Sequence, residues 1–275
     1  MFIFFHYITL YKSYTILNDL HRICLVLKIF IALSTYNRKK ITSLCLENLK
    51  NIVDSDGSSL LSIYDDASTT YDEKLLKKYS ENILRFRVNG GIERSRARAV
   101  RDFEHIHKNF DLFYMTDNDT IHDPTFLQTL RTIYKTSSKN EQEKLPIGLF
   151  NSIFHNQPEN IIHENDLISI RKTCPGVSQC FNRSMISRIV KFIDENPVYE
   201  TLYGFDYYWP ASLGIPFLQT KTSYLEHFAR DKNEKGLHSS FSDNPMDDFD
   251  RDRALYPTSY LKKIRKDVIN KILED

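Results

Sequence analysis

Between Leu27 and Asp117, short apolar runs alternate with stretches of helical periodicity. Leu27–Leu33, Leu60–Tyr64, Asn82–Val88 and Phe110–Asp117 have the length and the aromatic and β-branched content of buried strands. Over Lys39–Val53, Ile41, Leu44, Cys45, Leu49 and Ile52 recur at helical spacing. A short helix is expected over Asp72–Ser80 and a basic one over Glu93–His107. This alternation predicts a mostly parallel sheet with right-handed crossovers and helices on its faces. All strand ends then face one way, so Ser34–Arg38, Asp65–Ser68 and Asp117–Asp119 are expected along one rim. Open α/β sheets bind ligands at that edge.

The fourth run stops abruptly in Asp117-Asn118-Asp119. Two close, partly desolvated carboxylates repel each other unless a cation lies between them. Hard oxygen ligands suit Mg2+ or Mn2+, ions that complete their shell with water and substrate phosphates. Other acidic pairs, at Asp54/Asp56, Asp248/Asp250 and Asp250/Asp252, do not end an apolar run. Position after a strand singles out the pair at 117 and 119 as a metal–diphosphate site.

Beyond the rim a helix is expected over Pro124–Tyr134, then a polar loop over Lys135–Lys144. Strands are expected at Pro146–Phe154, Asp166–Ile170 and near Phe217–Leu225, with Ser184 capping a helix over Met185–Asp194. The tail Tyr260–Leu273 carries Leu261, Ile264, Val268 and Ile272 on one face and basic residues elsewhere. Residues 1–27 fit poorly with the rest of the chain: the apolar start lacks a signal peptide's positive charge and is interrupted by Lys12, Asp19, His21 and Arg22. That stretch reads as an extension, a packed helix or a membrane-surface anchor. A net charge of +1 argues against a dedicated nucleic-acid binder. Four scattered cysteines among 275 residues suggest reduced thiols and a cytoplasmic protein, peripheral at most to the inner face of a membrane.

Four stretches taken together resemble a known family. Ile31–Arg38, Tyr64–Ser68, Tyr114–Asp119 and Gly204-Phe-Asp206 occur in the order found in family-two-like glycosyltransferases of the GT-A fold. Ser223–His227 with Gly236-Leu-His238 resembles the later part of many bacterial members. The resemblance implies a Rossmann-like α/β domain over residues 28–240, with a nucleotide-binding half at 28–122 and an acceptor half at 123–240, followed by a helical tail at 241–275. It also implies a hexosyl- or N-acetylhexosaminyltransferase that moves a sugar from a nucleotide-sugar, a UDP-sugar by expectation, to a glycan or lipid-linked saccharide.

Carried over by position, Thr35, Tyr36 and Arg38 would contact the nucleotide, and Asp66 rather than Asp65 would bond the uracil edge. Arg94, Arg96 or Arg98 would face the nucleotide or sugar, although Ala99 stands after Ala97-Arg98 where the family has Asn. Asp119 would hold Mn2+ or Mg2+, with His227 or His238 as a further ligand, Asp117 would lie by the sugar or ribose, and Asn118 would contact the nucleotide-sugar. Asp206 would be the general base.

The chemistry asks for the same parts. A cation stabilises the leaving diphosphate. A carboxylate within hydrogen-bond reach takes the acceptor's proton. Asp206 precedes Tyr207, Tyr208 and Trp209, an aromatic group able to desolvate it and to stack a sugar, with Tyr207 and Trp209 as acceptor contacts. Base and leaving group on opposite faces imply inversion at the anomeric carbon. A sugar-phosphate nucleotidyltransferase is the competing enzyme, but it expects a glycine-rich phosphate loop, and Ser34–Lys40 has no glycine. A non-catalytic carbohydrate-binding protein on the same fold is the third reading.

Overall fold

The structure, a computed structural model, describes residues 26–137, 140, 144–152, 156–200, 208–228 and 253–273. The first half runs β1 (Ile29–Thr35), α1 (Lys39–Asp56), β2 (Ser59–Asp65), α2 (Glu73–Leu76), β3 (Asn82–Arg85), α3 (Ile92–His105) and β4 (Leu112–Asp117). Then come β5 (Thr120–His122), α4 (Phe126–Ser137), β6 (Ile147–Gly148), β7 (Ile161–Glu164), β8 (Ile168–Arg171), β9 (Ser178–Asn182) and α5 (Arg183–Glu195). The last elements are α6 (Tyr208–Leu213), β10 (Phe217–Thr220), β11 (Leu225–His227) and α7 (Ser259–Leu273).

Among the described residues, nine strands form one sheet in the order β3-β2-β1-β4-β9-β6-β10-β8-β7. It is parallel from β3 to β4, where the βαβ alternation operates. Beyond β4 it is mixed, because β9, β8 and β7 pair antiparallel with their neighbours. Strand β1 lies inside the sheet and every residue of it is buried, which explains its continuous apolar spelling. Alternate side chains serve two cores. Ile29, Ile31 and Leu33 pack with Cys45, Leu46 and Leu49 of α1 and with Leu127 and Leu130 of α4. Phe30 and Ala32 join the cluster that holds Val100 and Phe103 of α3 and Ile186 and Ile189 of α5.

Helix α1 starts after two left-handed residues, Asn37 (φ 52) and Arg38 (φ 55), and stops at Gly57. There a φ of 65 suits glycine, whose N–H returns to the Val53 carbonyl. Helix α7 buries Leu261, Val268 and Ile269. Val268 and Ile269 cluster with Ile41, Ile121 and Phe228, which fixes the C-terminal helix beside α1 and β11. None of the helices among the described residues is long and apolar enough to cross a membrane.

Several expectations change. The helix expected over 72–80 is the single turn α2, capped by Asp72, whose side chain accepts from Leu75 N. Of the strand expected over 146–154, Ile147–Gly148 is a strand and residues 153 and 154 lie outside the described residues, and Ile161–Glu164 is an unforeseen edge strand. Helix α5 is capped by Asn182, which accepts from Met185 N at 2.8 Å, and not by Ser184, which lies inside the helix. The run 217–225 divides into β10 in the main sheet and β11, which leaves that sheet to pair antiparallel with β5.

Candidate active site

Parallel register brings the strand ends together: Thr35 lies opposite Asp65, and Ser34 opposite Asp117. The turn after β1 is then stitched to both neighbours. Asn37 N donates to Ser68 Oγ at 2.8 Å, and Asn37 Oδ1 accepts from the backbone N–H of Thr69 at 2.7 Å and Thr70 at 3.2 Å. From the other side, Asn118 Nδ2 donates to Thr42 Oγ1 at 2.6 Å and reaches the carbonyls of Tyr36 and Asn37. Ser34–Arg38, Asp65–Ser68 and Asp117–Asp119 therefore share one rim. Asn37 was absent from the expected set. Its signal in the sequence is the readiness of Asn to take left-handed backbone and to bond turns through its side chain.

The two carboxylates after β2 are engaged within the chain. Asp65 is fully buried, accepts from Thr35 Oγ1 at 2.9 Å and from Ser68 Oγ, and lies 3.2 Å from Arg85 Nε. It braces the rim from inside, and Thr35, 2% exposed, spends its hydroxyl on that brace. Asp66 accepts from Gly90 N at 3.0 Å, Gly91 N at 2.7 Å and Arg94 Nη2 at 2.8 Å. Gly91 has a φ of 86, a conformation that costs a side-chain-bearing residue dearly, so this approach to the start of α3 relies on glycine. Tyr36 stands at the same rim with 43% of its surface exposed.

The acidic pair after β4 divides by partner. Nη2 of Arg96 lies 2.9 Å from both oxygens of Asp117 and 3.3 Å from the Gly176 carbonyl, and Arg96 itself is buried. Burial pushes the Asp117 carboxyl up and the charge of Asp119 adds to this, while Arg96 opposes. Asp119, 5% exposed, takes the Arg38 guanidinium on Oδ2, and its Oδ1 lies 3.3 Å from His227 Nε2. Burial pushes Asp119 up as well, but His227 and Arg38 outweigh it and hold the carboxyl well below the usual range. One member of the pair is thus kept as a strongly stabilised anion.

His227 arrives from far along the chain. Strand β11 sets it opposite Thr120, and Phe228 N donates to the Asp119 carbonyl at 2.8 Å. The next link was not anticipated: buried Glu226 pairs with Arg265 of α7 at 2.9 Å. The two residues are separated by 38 others, and neither carries a local signal of the other.

Other expected residues lie elsewhere. Arg98 turns out of the site, with 47% of its side chain exposed, and pairs with Asp102 one turn on. Two positions along a helix rotate a side chain by about 200°, so Arg96 and Arg98 face opposite ways. Trp209 is 1% exposed in the cluster with Phe217 and Ile215, which makes it core and removes it from acceptor stacking. Asp206, Tyr207 and His238 lie outside the described residues.

Among the described residues no three His, Cys, Asp or Glu side chains gather around one point. The pair Asp119–His227 still suits a hard divalent ion. Donors 3.3 Å apart can share one cation at ligand distances of about 2.1 Å, with the remaining positions left for water and phosphate oxygens.

No protein-family model and no curated protein matches the chain. Its backbone is similar to that of S. aureus TarS 1–349 in complex with UDP-GlcNAc, with a TM-score of 0.54 and 16% identity over 78% of this chain and 62% of that one. The same TarS segment in complex with UDP gives 0.52 and 16%, over 72% and 60%. A longer TarS chain gives 0.53 and 15%, over 72% and 36%, so this chain spans about a third of that protein's length. At such identities the likeness is one of backbone architecture. The chain has the GT-A fold, the α/β architecture of nucleotide-sugar glycosyltransferases.

Proposed function

We propose that this protein is an inverting, metal-dependent glycosyltransferase that moves a sugar from a UDP-sugar to a glycan or lipid-linked saccharide. The observation that carries the reading is the grouping of Arg38, Asp119 and His227 at the ends of β1, β4 and β11, beside the Arg96–Asp117 pair. The UDP and UDP-GlcNAc complexes of TarS support a uridine donor.

In this reading exposed Tyr36 covers the base, and Asn118 holds the Tyr36–Asn37 turn in place for it. Arg96 fixes Asp117 beside the ribose or sugar. Mn2+ or Mg2+ held by Asp119 and His227 would stabilise the charge developing on the diphosphate as the sugar leaves. Asp206 takes the proton of the attacking acceptor hydroxyl on a carboxylate oxygen, and attack opposite the leaving group inverts the anomeric carbon.

The test is thermal unfolding against nucleoside diphosphates and UDP-, GDP- and TDP-sugars, with and without Mn2+. Selective binding to the folded state raises the midpoint by mass action. The proposal expects UDP and one UDP-sugar to raise it, more strongly with Mn2+. No shift with any nucleotide would sink it, and a shift without sugar transfer to any acceptor would leave a binding protein.

A further inference from the structure

The two arginines on the acidic pair differ in exposure. Arg96 is 6% exposed and is also tied to the Gly176 carbonyl and Glu93, so its hold on Asp117 is built into the fold. Arg38 projects from the left-handed residue that opens α1, and its side chain is 22% exposed. Yet Arg38 occupies the very carboxylate that faces His227.

We infer that Arg38 is the resident counter-ion of the cation position, and that it exchanges Asp119 for the diphosphate when cation and nucleotide arrive together. This rests on the nucleotide-sugar reading above. A buried anion without a positive partner is unstable, so Asp119 needs a charge opposite it at all times. A guanidinium on Oδ2 and a divalent ion on Oδ1 compete for the charge of one carboxylate, and the two cations repel at contact distance. Arg38 therefore weakens cation binding to the empty site. A diphosphate removes that obstacle by offering the guanidinium fork a phosphate partner, the geometry in which Arg binds most strongly. Cation and nucleotide then bind cooperatively. Linkage requires each to raise the other's affinity by the same factor.

The experiment is Mn2+ titration of the full chain, read from the paramagnetic resonance of free Mn2+, with and without UDP and without any turnover, the Mn2+ held by UDP alone being measured in protein-free solution and subtracted. Wild type is expected to bind Mn2+ at least tenfold more tightly in the presence of UDP. Arg38→Gln is expected to bind Mn2+ alone at least tenfold more tightly than wild type, and to lose most of the coupling to UDP. Arg38→Lys, which keeps the charge, is expected to hold Mn2+ alone as weakly as wild type. Unchanged or weaker Mn2+ binding by folded Arg38→Gln would overturn the exchange and leave the glycosyltransferase reading standing. Should that variant fail to fold, wild type decides alone: equal Mn2+ affinity with and without UDP overturns the exchange. Absence of Mn2+ uptake by wild type even with UDP overturns both.

Discussion

Glu226 and Arg265 form an ion pair at 2.9 Å that fastens the C-terminal helix to the strand carrying His227. Glu226 is 1% exposed and also accepts from Ala254 N at 2.8 Å. Burial raises its pKa, with Arg265 pulling the other way. Arg265→Met should destabilise the protein by about 3 kcal/mol at neutral pH, the order found when one partner of a buried pair is removed. Without Arg265 the carboxyl is expected to take up a proton more readily, so the loss should shrink as the solution is acidified. Urea unfolding at neutral and mildly acidic pH measures both. A loss under about 0.5 kcal/mol would show that the pair does not anchor the helix.

The two sides of α3 give a second test. Arg96→Ala leaves Asp117, whose side chain is only 16% exposed, beside Asp119 without its main partner, and should cost about 3 kcal/mol and at least tenfold in UDP affinity. Arg98→Ala removes a pair one turn long whose arginine is half exposed, while buried Asp102 keeps the bond from the Tyr64 hydroxyl, and should cost less stability than Arg96→Ala and change UDP affinity not at all. Calorimetric titration of UDP into both variants checks the contrast.

Acid unfolding has a local contribution at the end of α1. Asp56 is lowered from 3.8 to about 2; burial works against the shift, and hydrogen bonds from Arg131, Ser59 and Ser58 overcome it. A carboxyl whose folded pKa lies below its unfolded one binds fewer protons when folded. Its stabilisation is full above about pH 4 and is lost as the pH falls toward about 2. Allowing for solvent screening, that loss is about 1 kcal/mol. Asp56→Asn should be less stable at neutral pH and show a flatter decline across that window, as read from urea midpoints at stepped pH.

Catalytic roles separate by alanine substitution. Asp119→Ala should abolish Mn2+-dependent donor binding. Asp206→Ala should leave donor affinity within about twofold and lower transfer by at least a hundredfold, within the range ascribed to acid–base catalysis. Retention of full activity by both variants would refute the assignment, and retention of the donor's anomeric configuration in the product would remove Asp206 as the base.

The parallel half of the fold was legible because its strands are covered on both faces and spell themselves as unbroken apolar runs, as Ile29–Leu33 does. The rim was legible for a related reason: polar residues such as Asp65 and Asp117 stand at the last position of an apolar strand. What escaped depends on distant partners. Choosing Arg96 over Arg98 required the rotational phase of α3, which its neighbours on the sheet decide. Asn182 rather than Ser184 caps α5 because β9 stays paired with β4 as far as Asn182, opposite Leu112. Leu225 looked continuous with Phe217–Thr220 until the partner of its own strand, Thr120–His122, was known. Trp209 reads equally as core or platform in the sequence, and only packing decides for core.

Strand β11 reaches β5 from a hundred positions downstream, and the backbone of Phe228 closes onto Asp119. A nascent chain that has completed β1 to β5 therefore owns both acidic residues but not the imidazole that faces one of them. In the proposed reading, competence for a metal waits on the docking of β11. A version cut short before β11 lacks that imidazole and, in the proposed reading, should be unable to grip a metal.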